Sequence, residues 1–413
     1  MAIFNKFQRA KQVAEILLRY GLDEFFERSN LEKWLPESLS NKLANESSGS
    51  VSVYERIRRA MEELGTTYVK LGQMLSDRRD LLQVEMITEL QKLQDKVEVQ
   101  PINIAEKFQR ELGIDIHEHF ETLASEPMAS ASIGQVFKGR LKNGQDVAVK
   151  IKREGIDEVI KADLLILQDL VNFLEQRNDI ISNLQPKALL NTFKESITTE
   201  LSLESERRSI ERFANNFKQD SRILVPQTYS NLSNNNILCM DFMYGSKVTN
   251  KAQIEQQGLL AKDVALLGLD LYMKQVFEFG FFHADPHPGN ILLTPDGRIA
   301  FIDLGAMGKL SPKERELLGN CLYYASQKNV RKIIETIKQL AVSYNVPNEK
   351  ALENDLSEIF MLLTESNLAG LDISELMNRF TKIMSENSII MPEGVYLLAK
   401  GFAQIEGIGR YLY

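Results

Sequence analysis

The sequence is poor in the residues that build disulfide frameworks and metal clusters. Its 413 residues include two cysteines, Cys239 and Cys321, and four histidines. Two cysteines are too few for a stapled secreted fold or a cysteine-rich zinc site, and they fit a reducing compartment. No apolar run approaches the ~20 residues of a membrane-spanning helix, and the N-terminus has no signal-peptide pattern. We therefore expect a cytoplasmic protein.

Positive charge is also in deficit. Lysine and arginine number 49 against 57 aspartates and glutamates, which gives a formal net charge of −8. This balance disfavours a nucleic-acid-binding protein, because such proteins hold phosphates with basic side chains. The hydrophobic content of 44% is typical of a globular chain that buries its own core. At about 150 residues per domain, the length predicts two or three domains or one large two-lobed one.

The hydrophobic pattern divides the chain into four segments. We interpret residues 1–50 as an amphipathic helix and a polar linker, 51–125 as a helical extension, 126–243 as a small lobe with strands, and 244–413 as a helical large lobe. The linker is placed at Asn45 to Ser50. The mixture of helices and strands predicts an α+β fold.

The first helix carries an apolar face and an excess of positive charge. Phe7, Ala10, Val13, Ala14 and Leu17 recur at helical spacing, and four basic residues face one glutamate over residues 1–20. Two interpretations stay open. The helix packs on the body of the protein, or it lies on a membrane surface, which would make the protein a peripheral membrane protein.

The most informative stretch is a loop of eight residues from His283 to Asn290. It holds two of the four histidines, two prolines and a glycine, and it places Asp285 five residues before Asn290. In phosphoryl transfer an aspartate of such a loop orients the acceptor hydroxyl, and an asparagine holds Mg²⁺. We therefore interpret Asp285 as a catalytic residue and Asn290 as a metal ligand.

A second acidic residue, Asp303, follows Asn290 after thirteen residues. Strand-like segments at Ile291–Leu293 and Arg298–Ile302 flank a turn at 295–297, and a hairpin of this length returns the chain to its starting point. It sets Asn290 and Asp303 side by side, as two oxygen ligands of one hard cation require. An isolated Asp-Leu-Gly is a common turn, so the predicted nucleotide–metal site depends on the loop and the hairpin together.

A lysine on a β-strand completes the predicted site. Alternation along Val147–Ile151 places Lys150 on the face opposite the valines, a position more common at an edge or a solvent-exposed face. The preceding strand is joined to this one by a hairpin turn predicted at Asn143-Gly144. That hairpin begins with four small residues, Ala129, Ser130, Ala131 and Ser132. Small residues at such a turn let backbone N–H groups approach phosphates, and a lysine on the next strand can reach them.

Five motifs occur in the order and spacing of the UbiB-type atypical kinases, also called aarF-domain-containing kinases. They are Lys70-Leu71-Gly72-Gln73, Ala129-Ser130-Ala131-Ser132, Val147-Ala148-Val149-Lys150, the loop His283 to Asn290, and Asp303-Leu304-Gly305. The sequence is similar to this family from about Tyr20 to Gly407. The first two motifs are specific to it, whereas the Asp285 loop also resembles that of aminoglycoside- and choline-type phosphotransferases. The resemblance implies a protein-kinase-like two-lobed fold with an N-terminal helical extension.

The resemblance also implies roles for individual residues. Lys150 resembles the phosphate-contacting lysine and Glu206 the helix glutamate that pairs with it, and both count with Asp285 as catalytic. The alanine-rich loop would hold the phosphates of ATP. The segment from Met240 to Met243 would be the hinge that touches the adenine, with Met240 and Met243 as binding residues. Asn290 and Asp303 resemble the Mg²⁺ ligands. Without the resemblance, the charged run that contains Glu206 would be interpreted as a solvated helix face.

A gating motif is implied in the same way. Lys70 and Gln73 match the helix that folds across the cleft in the family, and its partner there is a Glu-x-Asp pair. In this sequence the pair is Glu200-Leu201-Ser202, so Ser202 stands where the family has aspartate. Because serine carries no charge, we expect the gate to hold Lys70 less tightly here.

The sequence after Asp303 disfavours peptide phosphorylation. Ser311-Pro312-Lys313-Glu314 has the pattern of a capping box with proline at the first helical position, eight residues past Asp303. A helix that begins there leaves no room for the long activation segment of conventional protein kinases.

The resemblance implies an atypical kinase or ATPase that uses Mg²⁺ and ATP and supports ubiquinone or related isoprenoid-quinone biosynthesis. A small molecule or a lipid is the expected acceptor, and the expected partners are a quinone-precursor lipid, quinone-biosynthesis proteins and a membrane surface, with no nucleic acid. Two alternatives stay open. One is a pseudokinase scaffold that only binds nucleotide, and the other is a phosphotransferase of the aminoglycoside or choline kinase type, which should lack the Lys70 motif.

Overall fold

In a computed structural model of the protein the described residues are 2–22, 51–76, 82–93, 99–175, 186–365 and 373–413. The chain divides into two compact units. Unit 1 is residues 1–205 and 230–239, and unit 2 is residues 206–229 and 240–413. The predicted extension and most of the predicted small lobe therefore share one unit. The predicted linker at Asn45 to Ser50 lies outside the described residues.

The described helices and strands are as follows. The helices are α1 (Ala2–Arg19), α2 (Val53–Leu64), α3 (Thr66–Ser76), α4 (Val84–Leu90), α5 (Ile104–Leu112), α6 (Ile116–His119), α7 (Ile156–Glu175), α8 (Pro186–Glu200), α9 (Leu203–Asn216), α10 (Lys251–Gln256), α11 (Ala261–Met273), α12 (Pro312–Ser326), α13 (Val330–Leu340), α14 (Glu349–Glu365), α15 (Ile373–Glu386) and α16 (Glu393–Leu412). The strands are β1 (Phe120–Leu123), β2 (Ala129–Ser130), β3 (Gly134–Leu141), β4 (Asp146–Lys152), β5 (Ile223–Leu224), β6 (Ile237–Asp241), β7 (Ser246–Lys247), β8 (Phe281–His283), β9 (Ile291–Leu293), β10 (Ile299–Phe301), β11 (Met307–Lys309), β12 (Ser343–Tyr344) and β13 (Ile389–Ile390).

Unit 1 contains a five-stranded sheet in the order β1-β3-β4-β6, with β2 also paired to β3. The hairpin predicted at Asn143-Gly144 is confirmed, because β3 and β4 pair antiparallel around that turn and Gly144 has a φ of 85°. A left-handed φ is accessible to glycine without steric cost. The helical pattern from Val53 to Leu93 is divided among α2, α3 and α4, and Gly65 ends the first of them.

The apolar face of α1 packs into the core of unit 1. Ala10, Val13, Ala14 and Ile16 are buried, and three of them belong to a hydrophobic cluster that includes Ile160 of α7. The membrane-surface interpretation needs this same face on lipid. The structure therefore supports the alternative, in which α1 is part of the fold.

A buried ion pair fixes α1 on the neighbouring helices. Arg9 donates from Nε to Oδ1 of Asp163 on α7 at 2.7 Å, and the hydroxyl of Thr67 on α3 donates to Oδ2 at 2.6 Å. Burial raises the pKa of the Asp163 carboxyl above its ordinary value, although Arg9 and Thr67 act in the opposite direction. Removing one partner from such a pair leaves a buried charge uncompensated.

Unit 2 carries the predicted second hairpin. Its four-stranded sheet has the order β5-β10-β9-β7, β8 pairs with β11, and β12 pairs with β13. The capping box is confirmed, since Ser311 accepts from the backbone N–H of Glu314 and the Glu314 side chain accepts from that of Ser311. Helices α12 to α16 enclose a core that includes the fully buried Ile333 and Leu352. Among the described residues, no helix combines the length and the apolar content that crossing a bilayer requires.

Arg9→Met should destabilise the protein by about 3 kcal/mol or more, because the fully buried Asp163 carboxylate loses its counter-ion. Denaturant unfolding measures the free energy of unfolding. Lys11→Met is the matched control, since the ion pair of Lys11 with Glu15 on the same helix is exposed, and it should change that free energy by less than ~0.5 kcal/mol. Equal losses in the two variants would contradict the structural role of Arg9.

Candidate functional site

The hairpin β9–β10 brings Asn290 and Asp303 together. Phe301 pairs with Ile291 in the antiparallel register, and the backbone N–H of Ile302 donates to the Asn290 carbonyl at 3.1 Å. The predicted strands and their turn are thereby confirmed. Asn290 accepts this closing hydrogen bond and Asp303 directly follows its donor, so the backbones of the two candidate ligands are adjacent. The Asp303 carboxylate also accepts from the Gly305 N–H at 3.0 Å, which orients one of its oxygens.

Asp285 lies in the loop between β8 and β9, and its carboxylate has two partners on α16. Gln404 donates from Nε2 to Oδ1 at 2.7 Å, and Nζ of Lys400 lies 3.6 Å from the same oxygen. Burial disfavours ionisation, but the attraction to Lys400 and the hydrogen bond from Gln404 outweigh it, so the pKa of Asp285 lies below its ordinary value. The group is therefore an ionised carboxylate at neutral pH.

Glycine lets α16 approach this loop closely. A Cβ atom added at Gly401 would lie 1.8 Å from the hydroxyl oxygen of Tyr272, and that hydroxyl donates to the His283 carbonyl at 3.2 Å. No side chain larger than hydrogen fits at Gly401 without a shift of α16 or Tyr272. Sequence reasoning missed Lys400 and Gln404, because they belong to none of the five motifs and Gln404 lies 119 positions from Asp285.

His283 closes the start of the Asp285 loop. Its Nδ1 accepts from the backbone N–H of Asp285 at 3.1 Å, and the ring is buried. Burial lowers the pKa of His283 to about 4. The imidazole is therefore neutral at pH 7 and serves as a hydrogen-bond acceptor within the loop.

Glu206 lies in unit 2 beside the Asp303-Leu304-Gly305 turn. The glutamate is buried on α9, and a Cβ atom added at Gly305 would lie 3.2 Å from Oδ1 of Asp303 and 3.8 Å from Oε2 of Glu206. The charged run around Glu206 is thus not wholly a solvated face. Lys150 belongs to unit 1, and its pairing with Glu206 stays a prediction.

Lys150 lies on an interior strand. Strand β4 has β3 on one side and β6 on the other, and Lys150 is half-buried opposite Val136 of β3. The next lysine, Lys152, is buried and donates to the Leu201 carbonyl at 3.1 Å. Lys150 is therefore not an edge-strand residue, and its contact with phosphate stays a prediction.

The alanine-rich loop is a tight turn held from two sides. Ala129 and Ser130 form β2, and the Ala131 N–H donates to the Gly134 carbonyl at 2.9 Å. Arg153, a buried residue, donates to the Ala131 carbonyl and to the Ser130 hydroxyl, at 3.0 and 2.7 Å.

Ser132, the last residue of this loop, is buried, and its carbonyl accepts from the Thr66 hydroxyl of α3 at 3.2 Å. Arg153 and Thr66 therefore both position the loop. Sequence reasoning missed them, because each lies in a different part of the chain from the motif.

The helix α3 carries the Lys70 motif close to Glu200. Nζ of Lys70 lies 2.7 Å from Oε1 of Glu200, and Gln73 donates to the Leu93 carbonyl at 3.4 Å. A Cβ atom added at Gly72 would lie 2.3 Å from a methyl group of Leu93. Glycine in this motif therefore permits close packing, and the structure brings the predicted partners Lys70 and Glu200 into contact.

Ser202 has a structural task in this chain. Its hydroxyl accepts from the Ser205 N–H at 3.1 Å, as an N-cap of α9 does, and donates to Oδ1 of Asn235 at 2.6 Å. The hydroxyl that stands in place of the family aspartate is thus engaged in capping.

The predicted hinge falls where the chain passes between the two units. Strand β6 begins in unit 1, and the boundary lies between Cys239 and Met240. Met240 is buried and Met243 is half-buried. The contact of these methionines with an adenine stays a prediction.

Comparison with known proteins identifies the family. A sequence model of the ABC1 atypical kinase-like domain matches residues 92–337, which is more than half of the chain. The chain belongs to the ABC1 atypical kinase-like family. The resemblance to UbiB-type kinases and the protein-kinase-like α+β fold are thereby confirmed.

Relatives of the ABC1 family are similar over nearly all of the chain. A probable protein kinase UbiB from Shewanella loihica is 30% identical over 98% of this chain and 75% of its own length. A protein encoded in the hydrogenase 1 5′ region of Clostridium pasteurianum is 32% identical over 98% of this chain and 73% of its own. A chloroplastic relative from Arabidopsis thaliana, ACTIVITY OF BC1 COMPLEX KINASE 1, is 29% identical over 86% of this chain and 52% of its own.

A solved structure shares the ABC1 fold. The chain of the Rv3197–erythromycin complex from Mycobacterium tuberculosis is 23% identical, with a TM-score of 0.59, over 85% of this chain and 90% of that chain. At this identity the likeness shows a common fold alone.

A double-mutant cycle between Lys70 and Glu200 should give a coupling free energy of about 0.5–1 kcal/mol, because the pair is close but partly exposed. Denaturant unfolding of Lys70→Ala, Glu200→Ala and the double variant measures it. The control is a double-mutant cycle between Glu200 and the exposed Lys194, which lies six positions away on the same helix. The free-energy changes of its two single variants should be additive. Strict additivity in both cycles would mean that the Lys70–Glu200 contact contributes nothing.

The buried His283 should make stability fall as the pH is lowered. Its pKa is about 4 in the folded protein and about 6.5 in the unfolded chain, so the unfolded chain binds more protons between these values. The part of the free energy of unfolding that depends on a neutral His283 is complete above pH 6.5. It decreases by ~2 kcal/mol between pH 7 and pH 5 and is lost as the pH approaches 4. His283→Gln should flatten this slope, and the exposed His117→Gln is the control. Identical slopes would contradict a buried neutral His283.

Proposed function

We propose that this ABC1-family protein is an atypical kinase or ATPase that binds Mg²⁺-ATP and transfers the γ-phosphoryl group to a hydroxyl acceptor or to water. The observation that carries the proposal is the register of β9 and β10, which makes the backbones of Asn290 and Asp303 adjacent. The ionised Asp285 belongs to the same unit. A phosphoryl-transfer site needs these elements, two oxygen ligands and a carboxylate that orients the acceptor.

The chemistry of Asn290 and Asp303 fits magnesium. An amide oxygen and a carboxylate are hard oxygen donors, and Mg²⁺ is usually bound by one or two carboxylates together with substrate phosphates. When bound, Mg²⁺ would neutralise charge on the phosphate oxygens. The chain's own contribution is to fix the two donors, through the hairpin at Asn290 and through the Gly305 N–H at Asp303.

The family resemblance adds the phosphate contacts. Lys150 and the alanine-rich loop would bind ATP phosphates, and Glu206 would orient the lysine. Support comes from the interior position of Lys150 and from the hydrogen bonds of Arg153 and Thr66, which give the loop one defined conformation.

A small molecule or a lipid is the proposed acceptor. The residues after Asp303 are committed to the fold, since Ala306 accepts from the Ala284 N–H, β11 pairs with β8, and Ser311 caps α12. The connection from Asp303 to α12 is thus shorter than the activation segment of conventional protein kinases, which supports an acceptor other than a peptide. The UbiB name of the Shewanella relative and the family resemblance favour a role in ubiquinone or other isoprenoid-quinone biosynthesis, at the cytoplasmic side of a membrane.

Asp303→Asn should weaken binding of Mg²⁺-ATP by at least about tenfold and affect metal-free ATP little, because the variant removes a charge from the cation site. Isothermal titration calorimetry with and without Mg²⁺ measures both affinities. Asp296→Asn is the control, since Asp296 lies exposed at the turn of the same hairpin. Equal affinity of Asp303→Asn and wild type for Mg²⁺-ATP would overturn the metal assignment. Tight binding of Mg²⁺-ATP by the wild type without ATP turnover would favour the alternative of a scaffold that only binds nucleotide.

A further inference from the structure

The Asp285 carboxylate is held at one of its two oxygens. Gln404 donates to Oδ1 at 2.7 Å, and Lys400 lies 3.6 Å from that same atom. Within the part of the chain that the structure describes, no hydrogen bond reaches Oδ2. The side chain of Asp285 is 37% exposed, so part of this group is open to a ligand.

We infer that Lys400 and Gln404 are positioning residues for phosphoryl transfer: they fix Oδ1 of Asp285 and turn Oδ2 toward the acceptor hydroxyl. The inference rests on the proposed function. In the step it serves, the acceptor oxygen forms a bond to the γ-phosphorus as its O–H bond breaks, and the proton passes to Oδ2. ADP leaves with the electron pair of the broken P–O bond.

The helix that carries both residues is fixed in place. Gly401, between Lys400 and Gln404, contacts Tyr272 and the His283 carbonyl, and a Cβ atom added at Gly394 would lie 2.6 Å from the Lys309 carbonyl oxygen. These close approaches lock α16 against β8 and β11. Residues four apart lie on the same face of a helix, so a locked α16 presents Lys400 and Gln404 together to one carboxylate.

The charges around Asp285 support this division between its oxygens. Lys400 attracts the carboxylate, and His283 and His287 are the other titratable groups that act on it. His283 is neutral at pH 7 because burial lowers its pKa to about 4. Lys400 therefore makes the largest charge contribution to the lowered pKa of Asp285. It lies beyond residue 337, where the match to the family domain ends.

The test compares kcat, KM for ATP and the pH profile of ATP turnover in the full chain. Lys400→Met and Gln404→Leu should each lower kcat about tenfold with KM for ATP within twofold. Lys400→Met should also move the acidic limb of kcat up by about 0.5–1 pH unit, because losing the cation raises the pKa of Asp285. Lys400→Arg should restore the limb. Arg410→Met removes an equal charge on the exposed side of α16. It should change neither kcat nor the position of the acidic limb.

The outcomes separate this inference from the proposed function. If Asp285→Asn abolishes turnover while Lys400→Met and Gln404→Leu behave like Arg410→Met, the positioning role is overturned and the kinase proposal stands. If Asp285→Asn leaves ATP turnover unchanged, the proposed function is overturned, because Asp285 is not then the carboxylate that orients the acceptor.

A second measurement needs no turnover. In protein labelled with [γ-¹³C]aspartate, the Asp285 resonance, assigned by its loss in Asp285→Asn, should titrate about 0.5–1 pH unit higher in Lys400→Met than in wild type. Lys400→Gln replaces Lys400→Met if the latter does not fold. An unchanged midpoint overturns the inference.

Discussion

The register of one short hairpin determines the candidate site. A single backbone hydrogen bond, from Ile302 to Asn290, closes the ladder at the point where the two candidate ligands begin. A shift of one residue would move every side chain of β9 and β10 to the opposite face of the sheet. The buried Ile291, Leu293, Ile299 and Phe301 oppose such a shift, because each would leave its place in the core. Hydrophobic burial in unit 2 thus specifies the spacing of polar ligands that contribute little to stability themselves.

Sequence reasoning succeeded where local chemistry decides the structure. The turn at Gly144, the cap at Ser311 and the hairpin after Asn290 depend on residues a few positions apart, and each residue type has one well-understood task there. The family motifs could be placed in the same way, because their spacing survives in a single sequence.

Long-range contacts could not be predicted in this way. Gln404 reaches Asp285 across 119 positions, and Arg153 reaches Ser130 across 23. Nothing in the composition of α16 distinguishes its polar residues from ordinary surface ones. The two interpretations of α1 could not be separated from the sequence for a related reason, since an amphipathic pattern shows that a face is apolar but not what covers it. Only the packing against α7 decides that point.

The glycine of the Lys70 motif has a consequence for motion. Glycine inside a helix lowers its intrinsic stability by about 1 kcal/mol relative to alanine. Helix α3 therefore depends in part on contacts with Leu90 and Leu93, which Gly72 permits by its lack of a side chain. Order that depends on neighbours is lost when the neighbours separate, so the backbone amides around Gly72 should exchange with solvent through local opening rather than global unfolding. The half of α3 that carries Lys70 and Gly72 depends on these neighbours, whereas Thr66 and Thr67 tie the start of the helix to the alanine-rich loop and to Asp163.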